Sequence, residues 1–209
     1  MKIALIGGRG HASDVLGAIE AANLWDSEFQ IVGIVADGDL DMNRFAHRGV
    51  EHIGGMDDLR RLDVTHFIGC VGYPEGRRVV TERALACGLE PVPAIVHPKA
   101  WVHPHVTLGH GSVILAFACI SAGASIGAHA CISNGALIGH DCQAADYVSV
   151  MPGAAVSGDT FLNEGCMIGT NATVLEKLTV GAWARIGAGA VVTKNVPPRV
   201  TATGIPARF

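Results

Sequence analysis

Residues 118–139 read ACISAGASIGAHACISNGALIG, with Ile at 120, 126, 132 and 138 and Ala at 118, 124, 130 and 136. Residues two apart on a strand share a face. Each six-residue unit therefore sends one small and one branched side chain inward, and then turns. Extended outward, the same ruler meets Val96, Val102, Leu108 and Ile114 before this stretch. After it come Ala144, Val150, Val156, Leu162, Ile168, Val174, Val180, Ile186 and Val192. Only Ala144 departs from Val, Ile or Leu. The position two residues earlier is mostly small, with Cys at 142 and 166. Chance does not hold one phase over so many units, so a parallel β-helix with very short faces is expected. Gly109, Gly127, Gly139, Gly169, Gly181 and Gly187 each follow an aliphatic residue and are expected to make the corner turns. Cys142 and Cys166 are read as core packing, which argues against a covalent acyl-cysteine.

The repeat accounts for the composition: 27 Gly in 209 residues, 5% aromatic, 16% charged and 49% hydrophobic. Lys and Arg total 15 against 19 Asp and Glu, a net charge of −4, which gives no basic footprint for nucleic acid. Gly, His, Asn and Asp interrupt every apolar run before the ~18 residues a membrane helix needs. The opening segment reads as a first strand and not as a signal peptide. Six Cys without a CxxC pair fit a reduced, cytoplasmic chain and exclude a zinc ribbon or thioredoxin motif.

Before the repeats the period changes. Lys2 to Ile6 is an apolar run ending in Gly7-Gly8-Arg9-Gly10-His11, after which Val15, Leu16, Ile19 and Ala22 take helical spacing. Gln30 to Ala36 reads as a second strand closed by Asp37. Asp57 to Leu62 reads as a short helix, Thr65 to Val71 as a third strand and Glu75 to Cys87 as a helix. This alternation describes an α/β, Rossmann-like domain over residues 1–92. The β-helix is expected over 93–195, with a tail at 196–209. Gly8-x-Gly10-x-x-Ser13 lacks the third glycine of the dinucleotide fingerprint, but a glycine turn at a helix N-terminus suits any phosphate.

The six-residue register resembles that of the hexapeptide-repeat acyltransferases, which fold as left-handed parallel β-helices of three hexapeptides per coil. The ending Val192-Thr-Lys-Asn-Val-Pro-Pro, followed by Gly204-Ile-Pro-Ala-Arg208, is similar to that family's acyl-CoA-binding terminus. With the GGxGHxxxV stretch at its start, the chain resembles the sugar acyltransferases of the sialic-acid and bacillosamine type. That resemblance implies acetyl-CoA as co-substrate, a nucleotide-linked amino sugar as acceptor, no metal, and a homotrimer with sites between neighbours. In Ile138-Gly139-His140-Asp141-Cys142 it implies His140 as general base, supported by Asp141 on the second ring nitrogen. Eighteen residues further on, the His140 column reaches Gly158, whose N–H the resemblance assigns to the oxyanion. It also implies that Thr170 and Ala188 line the CoA groove, and that Arg9, Gly10, His11, Asp37 and Gly72 contact the nucleotide sugar. Two positions differ from the family pattern. Ser149 stands where a His often meets the acyl group and is expected to bind the acyl donor there through its hydroxyl, and Ile132-Ser133-Asn134-Gly135 stands where V-N-T-G is expected.

Three other readings use the same residues. O-acylation of a sugar hydroxyl needs the same apparatus. A β-helix zinc hydratase would use His105 and His110, five residues apart, with a third His from a neighbour; these two and His129 fall near the start of the repeats, without the accompanying motif. A non-catalytic nucleotide-sugar sensor would follow if the Ser149 change meant a decayed site.

Overall fold

The structure is a computed structural model that describes residues 1–25, 29–38 and 40–209. The N-terminal part is a parallel sheet of β1 (Lys2–Ile6), β2 (Gln30–Val35), β3 (His52–Gly54), β4 (His66–Gly69) and β5 (Glu90–Pro91), in the order β3-β2-β1-β4-β5. Helix α1 (Gly10–Asn23) buries Ala12, Val15, Leu16, Ala18, Ile19 and Ala22, the face its spacing marks out. After β2 come the short helix α2 (Asn43–Ala46) and a 3-10 helix (Met56–Arg61); α3 (Pro74–Ala86) follows β4. The sequence reading missed β3, β5 and α2. Each is no longer than four residues, too short for periodicity to register. The segment read as the third strand is therefore the fourth.

From Ile95 the chain winds into a three-sided prism whose coils are paired at a register of 18, as in Cys119↔Leu137 and Ile126↔Ala144, until the last coil, where Ile186 pairs Ala202 at a register of 16. Face 1 carries seven strands, from Ile95–Val96 to Thr201–Ala202. Face 2 carries six, from Trp101–Val102 to Val191–Val192, and face 3 five, from Thr107–Leu108 to Thr179–Val180. The interior is the expected double file. Ala118, Ile120, Ala124, Ile126 and their successors through Ala190 and Val192 form one buried cluster, with Cys142 and Cys166 inside it. Val196, Ala202 and Ala207 belong to the same cluster, so the last residues close the open end of the prism and do not hang as a separate tail.

The corner glycines require a correction. The left-handed backbone falls three residues beyond the aliphatic position, at Gly111, Phe117, Gly123, His129, Gly135, Asp141, Tyr147 and onward every six. The glycine right after the aliphatic residue serves close approach instead. A Cβ on Gly139 would stand 2.6 Å from the Gly158 nitrogen, so no side chain fits between the coils there.

The N-terminal part sits on face 1. Ile95, Val113, Cys131 and Ser149, the outward residues of its first four strands, are all buried. The outward column of face 2 is Trp101, Cys119, Leu137, Ala155, Thr173 and Val191, with Trp101 and Leu137 exposed.

Candidate active site

His140 stands on the edge between faces 2 and 3, between strands Leu137–Ile138 and Gln143–Ala144. Asp141 takes the left-handed conformation (φ 57°), which Asp tolerates better than most residues. Its Oδ2 lies 2.9 Å from His140 Nδ1, with both side chains about two-thirds exposed (64% and 62%). A carboxylate there draws the Nδ1 proton and leaves Nε2 as the free acceptor. The ring lies over Gly158 of the next coil, where an added Cβ would be 2.5 Å from Nε2. The Gly158 N–H makes no hydrogen bond within the described residues. Gly139 and Gly158 thus keep one amide and one ring nitrogen bare at a single corner. Gly139 was read only as a turn former; its role shows only when the coils are stacked. Asp159 brings a second carboxylate, and ligand atoms of His140, Asp141 and Asp159 lie within 4.8 Å of one another. His105, His110 and His129 form no such group among the described residues. His129 is instead buried and stacked between Phe67 and Tyr147.

The residues expected to hold the nucleotide sugar gather elsewhere. Arg9, Gly10 and His11 follow β1, Asp37 follows β2 and Gly72 follows β4, so all five lie at the carboxyl edge of three adjacent strands. Arg9 and Gly10 are exposed, and the first turn of α1 has no side-chain cap and no acid. Asp37 has partners of its own: Oδ1 accepts from the Met56 N–H at 2.8 Å and Oδ2 from Arg83 at 3.2 Å. Gly72 abuts His11, and its carbonyl accepts from Arg77 and from Ser149. Thr170 and Ala188 stack 18 residues apart on the edge between faces 1 and 2, both exposed, and so are not on the His140 edge.

These elements match known proteins end to end. No family model matches the chain. A GDP-perosamine N-acetyltransferase of Escherichia coli O157:H7 is 39% identical over 137 residues, which span 63% of this chain and 62% of that protein. PerB of Caulobacter crescentus, solved in complex with CoA and GDP-perosamine, superposes with a TM-score of 0.89 at 30% identity, over all of this chain and 96% of that one. The acetyltransferase domain of PglB from Neisseria gonorrhoeae, solved with acetyl coenzyme A, gives a TM-score of 0.86 at 32% identity, covering 99% and 98%. The chain belongs to the hexapeptide-repeat sugar N-acetyltransferases.

The two parts of the chain meet in a seam built around one buried arginine. Arg77 of α3 is 2% exposed and meets only neutral acceptors. Its Nε donates to the His129 carbonyl at 2.7 Å. Nη1 donates to the Val71 carbonyl, and Nη2 to the Tyr147 carbonyl and Ser149 Oγ, each at 2.8 Å. Burial opposes its charge and holds the guanidinium below its ordinary range. Ser149 was expected to meet the acyl donor. In this protomer it is 1% exposed and spends its hydroxyl on Arg77 and Gly72, so it offers no surface to CoA. Nothing in the sequence around Arg77 marks it as the bolt of this seam, because its partners on the β-helix, His129, Tyr147 and Ser149, lie 52 to 72 residues away, and all its partners but Ser149 are backbone carbonyls.

Proposed function

We propose that this acetyltransferase moves an acetyl group from acetyl-CoA to the amino group of a nucleotide-linked amino-deoxysugar, with His140 as general base. The observation that carries the reading is the His140 corner: Nδ1 on the Asp141 carboxylate at 2.9 Å, Nε2 over Gly158, and an unpaired Gly158 N–H beside it. As the amine nitrogen bonds to the thioester carbon, His140 Nε2 takes its proton. The Gly158 N–H donates to the carbonyl oxygen as negative charge collects there. When the carbon–sulfur bond breaks, the imidazolium returns a proton to the departing thiolate, and Asp141 stabilises the charged ring in between. PerB and its GDP-perosamine ligand support a nucleotide amino sugar as acceptor.

In this reading residues 1–92 are a Rossmann-like nucleotide-sugar domain. The bare amides at the start of α1 face the phosphates, with Arg9, Gly10, His11, Asp37 and Gly72 around them. Residues 93–195 carry the chemistry, and 196–209 with Thr170 and Ala188 take the CoA arm. The N-terminal part covers face 1, and His140 stands on the edge opposite that face. One protomer therefore cannot present a sugar held at its own sheet edge to its own base, and the site needs a neighbouring copy. The apolar outward column of face 2 lies between the His140 edge and the Thr170 edge, and we assign it to that contact in a cytoplasmic homotrimer. Among the described residues no helix is long and apolar enough to cross a membrane.

Mass spectrometry of products, after offering acetyl-CoA with UDP-, dTDP- and GDP-linked amino sugars, tests the reading. A hydroxylamine-resistant gain of one acetyl group is expected. A hydroxylamine-labile product would mean O-acylation, and no product with any amino sugar would overturn the assignment. Light scattering should give three copies per particle.

A further inference from the structure

Cys131 lies on the outward side of face 1, 3% exposed, where the N-terminal part presses on the β-helix. Its sulfur is 3.8 Å from His11 Nε2 and 3.9 Å from Ser133 Oγ. His11 stands in the first turn of α1, directly after the Gly7–Arg9 turn, and its Cβ would be met by any side chain at Gly72. We propose that Cys131 is a positioning residue for the substrate loop: its buried sulfur and the half-buried His11 ring form a pair that fixes the imidazole, and with it the glycine turn, against the β-helix. This rests on the reading of that turn as the nucleotide-sugar site.

The pair forms by internal proton transfer. The thiol proton leaves Sγ for His11 Nε2, and the ring N–H then donates to the thiolate, with no net change of charge. Several charged or titratable groups surround the pair, among them Tyr147 and His129 of the β-helix, which face Arg77. Arg77 and Glu75 come from α3, Asp14 from α1 and Cys70 from the end of β4. Burial alone would push the Cys131 thiol up, but the His11 ring, Arg77 and Ser133 outweigh it and bring it down to about 7. For His11, burial opposes the charge, and the Cys131 sulfur overcomes it to raise the ring above its ordinary value. Cys70, with no cation beside it, is pushed far up by burial, so location beside His11 and Arg77 sets Cys131 apart. Cys131 also answers the lone charge of Arg77, whose hydrogen-bond partners are all neutral.

Steady-state kinetics on the full-length Cys131→Ala and Cys131→Ser variants, alone and with His11→Gln, test the pair. Cys131→Ala should raise KM for the nucleotide amino sugar about tenfold, one charge-assisted hydrogen bond's worth, and leave kcat and KM for acetyl-CoA within about twofold. Cys131→Ser should recover part of the loss, and adding Cys131→Ala to His11→Gln should cost little more than His11→Gln alone. Both KM values and kcat moving together, or additive losses, would overturn the proposal. A second measurement does not need activity. Ultraviolet thiolate absorbance, taken as wild type minus Cys131→Ser, should titrate near 7 and move clearly upward in His11→Gln. An unmoved midpoint sinks the pair even if the enzyme is active, and a moved midpoint in a protein that acetylates no amino sugar sinks the function and leaves the pair standing.

Discussion

The His140 edge and the face 1 seam are built in opposite ways. At the edge, His140, Asp141 and Gly158 belong to two successive coils, stand in water or directly beneath the ring, and are positioned by the same 18-residue register that builds the prism. In the seam, His11, Arg77, Cys131, His129 and Ser149 come from α1, α3 and the β-helix, and are shut in with few exits for an unpaired charge. The edge leaves the His140 and Asp141 side chains largely exposed and keeps an unpaired amide and a free ring nitrogen for chemistry. The seam satisfies nearly every polar group and in return fixes how the carboxyl edge of the N-terminal sheet sits on the scaffold. The difference separates variants that stop chemistry from variants that loosen geometry.

The sharpest break of that division is His140→Ala. It should lower kcat by ~10²–10⁴ while circular dichroism and particle size stay as in wild type; near-normal turnover would remove the edge from the mechanism. Gly158→Ala comes next. Its methyl would meet His140 Nε2 at 2.5 Å, so the ring must move, and kcat should fall about 10²-fold with KM for the sugar nearly unchanged. The seam should respond in stability. Arg77→Met orphans several buried acceptors at ~1–3 kcal/mol each, so urea denaturation should show a loss of at least about 3 kcal/mol. A loss of kcat with unaltered stability would contradict the division.

The smallest effect is on pH. Burial and then Arg77 push His129 down to about 4, against about 6.5 in an unfolded chain. As pH falls the unfolded chain takes up the proton first. The contribution is whole above about 6.5 and is lost progressively toward 4, at most about 3 kcal/mol. His129→Phe keeps the stack with Phe67 and Tyr147 and should flatten that part of the stability profile. An identical acid slope in the variant would show that other groups carry it.

The edge was legible because its residues obey the repeat. Ile138 and Cys142 fix the inward phase, and the intervening Gly139-His140-Asp141 must lie at a corner. The offset of 18 then points to Gly158. The seam was illegible for the converse reason. Cys131 and Ser149 occupy outward positions, where the repeat demands nothing, and Arg77 looks like any helical arginine until His129 and Tyr147 are brought to it. The placement of Thr170 and Ala188 on another edge is likewise a consequence of counting coils around the prism.

The sequence by itself determined the β-helix, its phase, its core and the corner that holds His140, because hydrophobic burial at a period of six leaves one register with the apolar side chains inside. Only the tertiary structure decided which face the N-terminal part covers, that Ser149 is sealed beneath it, and that His11 meets Cys131. Those contacts depend on outward side chains and on where separate segments come to rest, and no local period encodes either.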